Sequence, residues 1–560
     1  MRSMPRNLTT VKVHASVRGI ERGAFRFQHK LAEVKLRKGV EYIEDNAFLG
    51  CTSLKLIKIP PTVTWIGDLA FSGCAKLENV ELSKGLRCIG NEAFELCNAL
   101  KRIKIPSTIE EIGERAFSNC AKLIDVCLSG SLEVLIGKEA FADCNSLKRI
   151  KIPTRVIGEG AFRGCTNLTQ VELCQGVREI HALAFSDCTS LERIVTPLSL
   201  QVIGAAAFQC CGGLRDVVLC EGLQDIKEFA FHYCTALERI TVPSTVRILE
   251  KSAFEFCENL EEVNLLAGLE VIRDSAFCDC RALKRFRAPC TVKVIGPRVF
   301  VRCYKLVHVE LFEGLESIGQ QAFFNCSSIR RIRVPSTVER IGHRAFIQCR
   351  KLTHVELCDG LEDIGNYAFG SCRSLKPITI PSSIIKIGRG AFGSSWEGVK
   401  FSADVEEFIT RFSLRELWHN ENISCHFTLL CFLARRNIPA RLGALRASNW
   451  MSNIVILIRD VSSVPANHEG IDFYYNCIDR MLCKCERWRE AASLLELAIW
   501  KAKIAQQFDQ SGSNLRGTTR LQCRIECGAM VIIPNVMSFI FDPAPSRTWN
   551  ERTDTSFYDL

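Results

Sequence analysis

Apolar residues along this chain return with a period of 23 residues almost throughout. An Ala-Phe pair, or a close variant of it, marks each unit. Three residues after most of these phenylalanines stands a cysteine, followed by a leucine and then an alternating Ile-x-Ile or Val-x-Leu pair. The phenylalanines are Phe25, Phe48, Phe71, Phe94, Phe117, Phe141, Phe162, Phe185, Phe208, Phe231, Phe254, Phe277, Phe300, Phe323, Phe346, Phe369 and Phe392. Because a fixed period of this length is typical of repeat architectures, we expect about 17 stacked units.

The alternating pair in each unit predicts a short strand with one inward face, and the Pro-Ser-Thr or Glu-Gly after it predicts a turn. A unit of this size cannot bury its apolar side alone, so its neighbours must stack on it. In one unit we expect Phe71, Cys74, Leu77, Val80 and Leu82 to point inward. The predicted fold is a repeat solenoid with a parallel β-sheet on one face, on the order of 80 Å long at about 4.8 Å per strand.

Two departures from the period carry predictions of their own. One residue is gained before Phe141 and two are lost before Phe162, so we expect a local irregularity near residues 129–158. The cysteine is absent at both ends of the array, where Gln28 and Ser395 replace it. Atypical first and last units are usual in stacked repeats.

The segments AFSGCAKLENVEL, AFELCNALKRIKI and AFIQCRKLTHVEL show the motif most clearly. It resembles the BspA-type (Treponema-type) leucine-rich-repeat family, and the match runs from about Val17 to about Phe401. The resemblance implies a curved leucine-rich-repeat solenoid that serves in adhesion and protein binding, and it brings no catalytic residues. We therefore divide the chain into a lead-in strand at residues 1–16, the solenoid at 17–401 and a C-terminal domain at 405–560.

Residues 405–560 no longer follow the repeat. The segments ISCHFTLLCFLARR, IDFYYNCIDRMLCK and REAASLLELAIWKAKIAQQ have apolar residues at helical spacing or in buried runs. We expect a mainly α-helical domain of unknown type. It covers the open apolar face of the last repeat, or it binds a partner or oligomerises by itself.

A second period, of about 46 residues, appears in the turns and charges. Proline ends every second strand, as at Pro106, and glycine usually ends the others, as at Gly85. Strands ending in proline carry outward bases, whereas those ending in glycine carry outward acids. One stacked outward position holds Arg102, Asp125, Arg149, Gln170, Arg193, Asp216, Arg239, Glu262, Arg285, His308, Arg331 and His354. Such neighbours can pair across a parallel sheet, so the face neutralises itself, offers a mixed-charge strip to a protein partner, or does both.

The C-terminal part of this face has fewer acids, chiefly Glu310 and Glu356. If one patch binds an anionic partner, we expect it here. The candidate partner-binding residues are Arg285, Arg287, His308, Arg331, Arg333 and His354. A nucleic acid would need a continuous track of one sign, which the acidic strands interrupt over most of the face. We therefore do not expect nucleic acid as the partner.

Composition and charge narrow the setting. The formal charge of +10 lies in the first 403 residues, because residues 404–560 carry equal numbers of acidic and basic side chains. No apolar run has the length of a signal peptide or a membrane span. Half of the 30 cysteines recur at one repeat position among Ala, Phe and Leu, which favours buried free thiols over disulfides or metal ligands. We expect an intracellular, cytoplasmic protein without a metal or another cofactor.

The usual catalytic motifs are missing from the sequence. It contains no phosphate loop of the G-x4-G-K-[ST] kind, no H-E-x-x-H and no G-x-S-x-G. We expect no catalytic residues and a non-enzymatic scaffold that binds another protein through the solenoid. Two alternatives stay open: a cell-surface adhesion or receptor protein, and an anion-binding module that uses the basic patch near residues 285–354.

Overall fold

The computed structural model describes residues 7–129, 134–384, 386–393 and 399–400. Its described part is built from stacked repeats, each with one face strand, one two-residue strand and the turns between them. The predicted C-terminal helical domain, and the substitution at Ser395, lie outside these residues. No helix long and apolar enough to cross a membrane occurs in the described ranges.

Sixteen face strands lie side by side in this part of the chain, and all the pairings between them are parallel, as the alternating pattern predicts. Fourteen of them form one sheet and the last two form a second. The face strands are β1 (Thr10–Lys12), β3 (Glu33–Lys35), β5 (Leu56–Lys58), β7 (Asn79–Glu81), β9 (Arg102–Ile105), β11 (Asp125–Leu128), β13 (Arg149–Ile152), β15 (Gln170–Leu173), β17 (Arg193–Val195), β19 (Asp216–Val218), β21 (Arg239–Val242), β23 (Glu262–Leu265), β25 (Arg285–Arg287), β27 (His308–Glu310), β29 (Arg331–Val334) and β31 (His354–Leu357).

Seventeen short strands form a second parallel ladder in the described repeats. This ladder does not close into a barrel, because each strand pairs only with the strands of the repeats before and after it. They are β2 (Gly19–Ile20), β4 (Tyr42–Ile43), β6 (Trp65–Ile66), β8 (Cys88–Ile89), β10 (Glu111–Ile112), β12 (Leu135–Ile136), β14 (Val156–Ile157), β16 (Glu179–Ile180), β18 (Val202–Ile203), β20 (Asp225–Ile226), β22 (Ile248–Leu249), β24 (Val271–Ile272), β26 (Val294–Ile295), β28 (Ser317–Ile318), β30 (Arg340–Ile341), β32 (Asp363–Ile364) and β33 (Lys386–Ile387).

The core between the two ladders is the predicted set of stacked apolar residues. Phe71, Cys74, Leu77 and Val80 are buried as expected, whereas Leu82 is only half-buried at the end of its strand. Consecutive repeat phenylalanines stack from Phe25 to Phe392 with ring centroids 5.0–5.7 Å apart. Ring stacking at this distance adds to the burial of large apolar surfaces. The phenylalanines therefore form one continuous spine.

The turn-rich segment between the short strand and the next face strand, residues 67–77 in one repeat, is here called the arch segment. Its backbone adopts the left-handed conformation, with positive φ, at two positions. Residues other than glycine also occupy these positions, as at Glu92 (φ 53°) and Leu96 (φ 58°). The strained backbone is stabilised by the next repeat. The amide of Phe94, for example, donates to the carbonyl of Ala116 at 2.7 Å. Some backbone groups of the arch thus find partners only when repeats stack, which makes the array cooperative.

The 46-residue period has a structural cause in how alternate turns lock together. Gly268, in a glycine-type turn, has φ 131°, and a Cβ there would lie 1.9 Å from the carbonyl oxygen of Ser244. Its amide donates to the hydroxyl of Thr291 in the proline-type turn of the following repeat, at 3.1 Å. That hydroxyl donates in turn to the carbonyl of Leu269 at 2.7 Å. The two turn types are therefore complementary halves of one contact.

The spine passes without a break through the region where one residue is gained and two are lost. Phe117 and Phe141 stack at 5.2 Å, and Phe141 and Phe162 stack at 5.5 Å. The face ladder is also unchanged: β11 and β13 are joined at Asp125 and Arg149, a single pair like the one that joins β19 and β21 at Asp216 and Arg239. The core thus keeps its spacing across both changes in repeat length.

Candidate partner-binding surface

The outward side chains of the face strands form two rows that run along the array. The first outward row is the predicted stacked position, and the parallel register aligns it as expected, for instance Arg102 with Asp125 and Arg193 with Asp216. The second outward row lies two residues further on. It holds Lys104, Cys127, Lys151, Glu172, Val195, Val218, Thr241, Asn264, Arg287, Glu310, Arg333 and Glu356.

Over much of this surface the predicted charge pairing takes place. Lys58 lies 2.9 Å from Glu81, and Arg193 lies 3.0 Å from Asp216. The hydrogen bond from Lys58 to Glu81 raises the pKa of the lysine. All four side chains are more than half exposed, so each pair contributes little to stability. Their main effect is to neutralise the face and to favour one register over its neighbours.

All six candidate residues lie on this surface, on the four consecutive strands β25, β27, β29 and β31. The structure divides them into two kinds. Arg287 is 3.3 Å from Glu310 and Arg333 is 3.2 Å from Glu356, so the two arginines of the second row are already paired. Arg287 also lies over the ring of Phe312, 5.2 Å from its centroid. These two side chains are therefore less available to a partner than the sequence suggested.

The other four candidates, Arg285, His308, Arg331 and His354, continue the first outward row beyond Glu262. Within the described strands this stretch contains no acid, and neither arginine forms an ion pair there. The imidazole of His354 is 2.9 Å from the hydroxyl of Thr353. In this run two guanidinium and two imidazole groups follow one another along the row with no acid between them.

The sheet is interrupted in the middle of this row. The ladder that includes β27 ends there, and β29 pairs only with β31 among the described strands, although β27 and β29 remain in contact.

Phe286 on β25 occupies a position that holds Ile or Val in the other repeats, and its ring lies 4.4 Å from that of Phe300. The two widest steps of the spine, 5.6 and 5.7 Å, end at Phe277 and Phe300. Phe286 therefore packs beside the widest step of the spine.

Sequence reasoning overlooked a neutral zone at the middle of the face. Val195 and Val218 are register partners in the second outward row and are 42% and 38% exposed. Thr241 and Asn264 continue the zone. An apolar centre with charged surroundings is a common arrangement in protein interfaces. The signal was present in the sequence, because these outward positions break the alternation of bases and acids.

The repeat cysteines are structural, as predicted. The thiol of Cys120 donates to the carbonyl of Phe94 at 3.3 Å, and the other repeat cysteines make the equivalent bond. Burial raises the pKa of Cys51 and Cys120 to about 12. Such thiols are protonated and unreactive at neutral pH. No group of three or more metal-ligating side chains gathers anywhere in the described ranges.

The fold defines a class of protein: a leucine-rich-repeat solenoid with a parallel sheet along one face. The family profile described as the BspA type leucine rich repeat region (6 copies) matches residues 18–135, 134–261, 225–353 and 316–412. These matches cover well over half of the chain. The chain therefore belongs to the BspA-type leucine-rich-repeat family, as the motif resemblance implied.

Several solved structures are similar over much of their length. A leucine-rich repeat protein from Bacteroides ovatus ATCC 8483 is 27% identical over 70% of this chain and 91% of its own, with a TM-score of 0.48. The leucine rich repeat protein of T. pallidum is 36% identical over 27% of this chain and 72% of its own, at a TM-score of 0.26. A leucine rich cell surface protein from Faecalibacterium prausnitzii A2-165 is 25% identical over 63% and 88%, at 0.38. No curated protein matches the chain.

Proposed function

We propose that the chain is a non-enzymatic scaffold that binds a protein partner through the strand-bearing face of its solenoid. The observation that supports this most is the change in charge along the first outward row. From Arg102 to Glu262 the row alternates basic residues with acids or Gln170, and on the described face strands beyond Glu262 it contains only arginine and histidine. The fold does not require this change, because the same strand is built with acids at that position elsewhere.

The partner surface that fits this row is acidic. Arg285 and Arg331 present guanidinium groups, which bind carboxylates with two parallel hydrogen bonds. The neutral zone around Val195 and Val218 lies on the same face and provides apolar contact area at its centre. Charged residues at the rim of an interface mainly set its specificity and association rate, whereas an apolar centre supplies more of the affinity.

We also propose that the protein works in a reducing, intracellular compartment. The buried thiols donate hydrogen bonds to backbone carbonyls, which requires the reduced form. Labelling of intact cells with a membrane-impermeant biotin reagent tests this, because the reagent reaches only proteins exposed at the cell surface. Labelling of the protein on intact cells would favour the adhesion or receptor alternative instead.

Affinity capture with matched variants tests the binding face. The test variant carries Arg285→Glu and Arg331→Glu, and the control carries Arg102→Glu and Arg149→Glu in the same row. Both variants change the net charge equally and alter only exposed side chains. Quantitative mass spectrometry on native lysate should show a partner that is retained by the intact protein and the control but lost from the test variant. Equal retention by all three proteins would exclude the first outward row as the binding site.

A further inference from the structure

A second surface with a single sign of charge lies on the arch segments near the C-terminal end of the described array. Four consecutive arch segments, residues 296–306, 319–329, 342–352 and 365–375, contain no Asp or Glu. Their repeats stack with ring centroids 5.0–5.2 Å apart. This basic arch surface is formed by seven exposed residues: Arg298, Arg302, Lys305, Arg344, Arg350, Lys351 and Arg373.

Earlier repeats show that the arch does not need this composition. Most arch segments nearer the N-terminus carry acids, and several of their cations pair with an acid of a neighbouring repeat. Arg115 is 2.6 Å from Glu139, and Lys138 is 3.0 Å from Glu159. The same turns therefore form with and without acids. The loss of every acid over four repeats is a property of this surface and not of the fold.

Among the residues that the structure describes, most cations of the basic arch surface form no ion pair with a carboxylate. Arg302 is the exception, because it lies 3.2 Å from the buried carboxylate of Asp279 in the preceding repeat. Arg344 is held over the ring of Tyr367, 5.8 Å from its centroid. Within the described ranges, no ion pair is formed by Lys305, Arg350, Lys351 and Arg373.

We propose that the basic arch surface is a second docking site, which binds an extended protein segment rich in Asp and Glu. Four repeats span the length of about five extended residues, at about 3.3 Å per residue. Neutral polar side chains such as Gln320 and Ser327 lie between the cations and can bind peptide groups. This site is distinct from the strand face, so it goes beyond the proposed function.

The surface suits an acidic peptide better than a single-stranded nucleic acid. Proteins that bind single-stranded nucleic acids without sequence preference usually present a series of aromatic side chains on which successive bases stack. Only one aromatic side chain of this surface is clearly exposed, Tyr304 at 37%, and the ring of Tyr367 is engaged by Arg344. Carboxylates need no such platform, and they pair directly with guanidinium groups.

Fluorescence anisotropy with a labelled peptide tests the proposal on the full-length protein. The probe is a peptide of alternating Glu and Ser, and an oligothymidine of equal length serves as the competing polyanion. The test variant carries Arg350→Glu and Arg373→Glu. The matched control carries Lys76→Glu and Lys122→Glu, two exposed cations on acid-containing arch segments. Circular dichroism confirms that each variant is folded.

The intact protein should bind the peptide, and the test variant should bind it about tenfold more weakly because two attractive contacts become repulsive. The control should stay within about twofold of the intact protein. Three results would overturn the proposal: no peptide binding by the intact protein, equal losses in the test and control variants, or tighter binding of the oligothymidine than of the peptide.

Discussion

The row of repeat cysteines predicts that the solenoid unfolds cooperatively in mild alkali. Burial raises the thiol pKa at most positions of this row, to about 12 at Cys120 and Cys372. In the unfolded chain a cysteine has a pKa of about 8.5. Above that pH the unfolded thiols lose protons while the folded thiols keep theirs, so the free energy of unfolding falls as the pH rises. Below pH 8 this contribution to stability is fully present.

The magnitude follows from the number of thiols. Each buried thiol lowers the free energy of unfolding by about 1.2 kcal/mol between pH 8 and pH 9.5. The cysteines with raised pKa in this row are Cys51, Cys74, Cys97, Cys120, Cys144, Cys165, Cys188, Cys211, Cys234, Cys257, Cys280, Cys326, Cys349 and Cys372. Together they remove on the order of 15 kcal/mol, which equals or exceeds the net stability of most domains.

Far-ultraviolet circular dichroism during a pH titration under reducing conditions measures this. We expect a cooperative loss of signal between about pH 9 and pH 10. Urea unfolding of a Cys211→Ala variant isolates one thiol. The destabilisation caused by this substitution should shrink by about 0.7 kcal/mol between pH 8 and pH 9, because the variant has one thiol fewer to ionise on unfolding. A native signal that persists beyond pH 10.5, or a pH-independent cost of the substitution, would refute the reasoning.

Three further predictions concern the core, a turn and thiol access. Phe208→Ala should lower the free energy of unfolding by about 3–5 kcal/mol in urea unfolding, whereas Phe27→Ala, at an exposed position, should cost under about 1 kcal/mol. Gly268→Ala should cost about 1–3 kcal/mol, because it places a Cβ against a backbone carbonyl at positive φ, while Gly212→Ala should be nearly neutral; equal costs would contradict the turn geometry. Cys290→Ser should remove one rapidly reacting thiol from titration with Ellman's reagent, since Cys290 is exposed.

The repeat pattern was sufficient to predict the strands, the spine and the charge rows. Each depends on periodicity alone: once Phe71 and Val80 point inward, their equivalents above and below must follow. The parallel register then aligns Arg102 with Asp125 without further information. These features are robust because a shift by one residue would place charged side chains in the core.

The finer features depended on distances that a pattern does not contain. The sequence shows Phe286 where other repeats have Ile or Val, but not that its ring would meet Phe300 next to an interruption of the sheet. It also treated Arg285 and Arg287 as equivalent, although only Arg287 has an acid in its own row on the next strand. The basic arch surface was within reach of the sequence, because its charges become visible once the repeats are aligned with one another.

The central claim is that the strand face binds a protein, and photo-crosslinking from single positions tests it most directly. A photo-reactive amino acid is placed at position 308 in the first outward row, and in a second protein at position 122 on an acid-containing arch segment. Both positions are exposed, so the reagent itself is equally accessible. We predict a discrete crosslinked product with a partner protein from position 308 and none from position 122. Crosslinking of the same partner from position 122 but not from position 308 would contradict the claim.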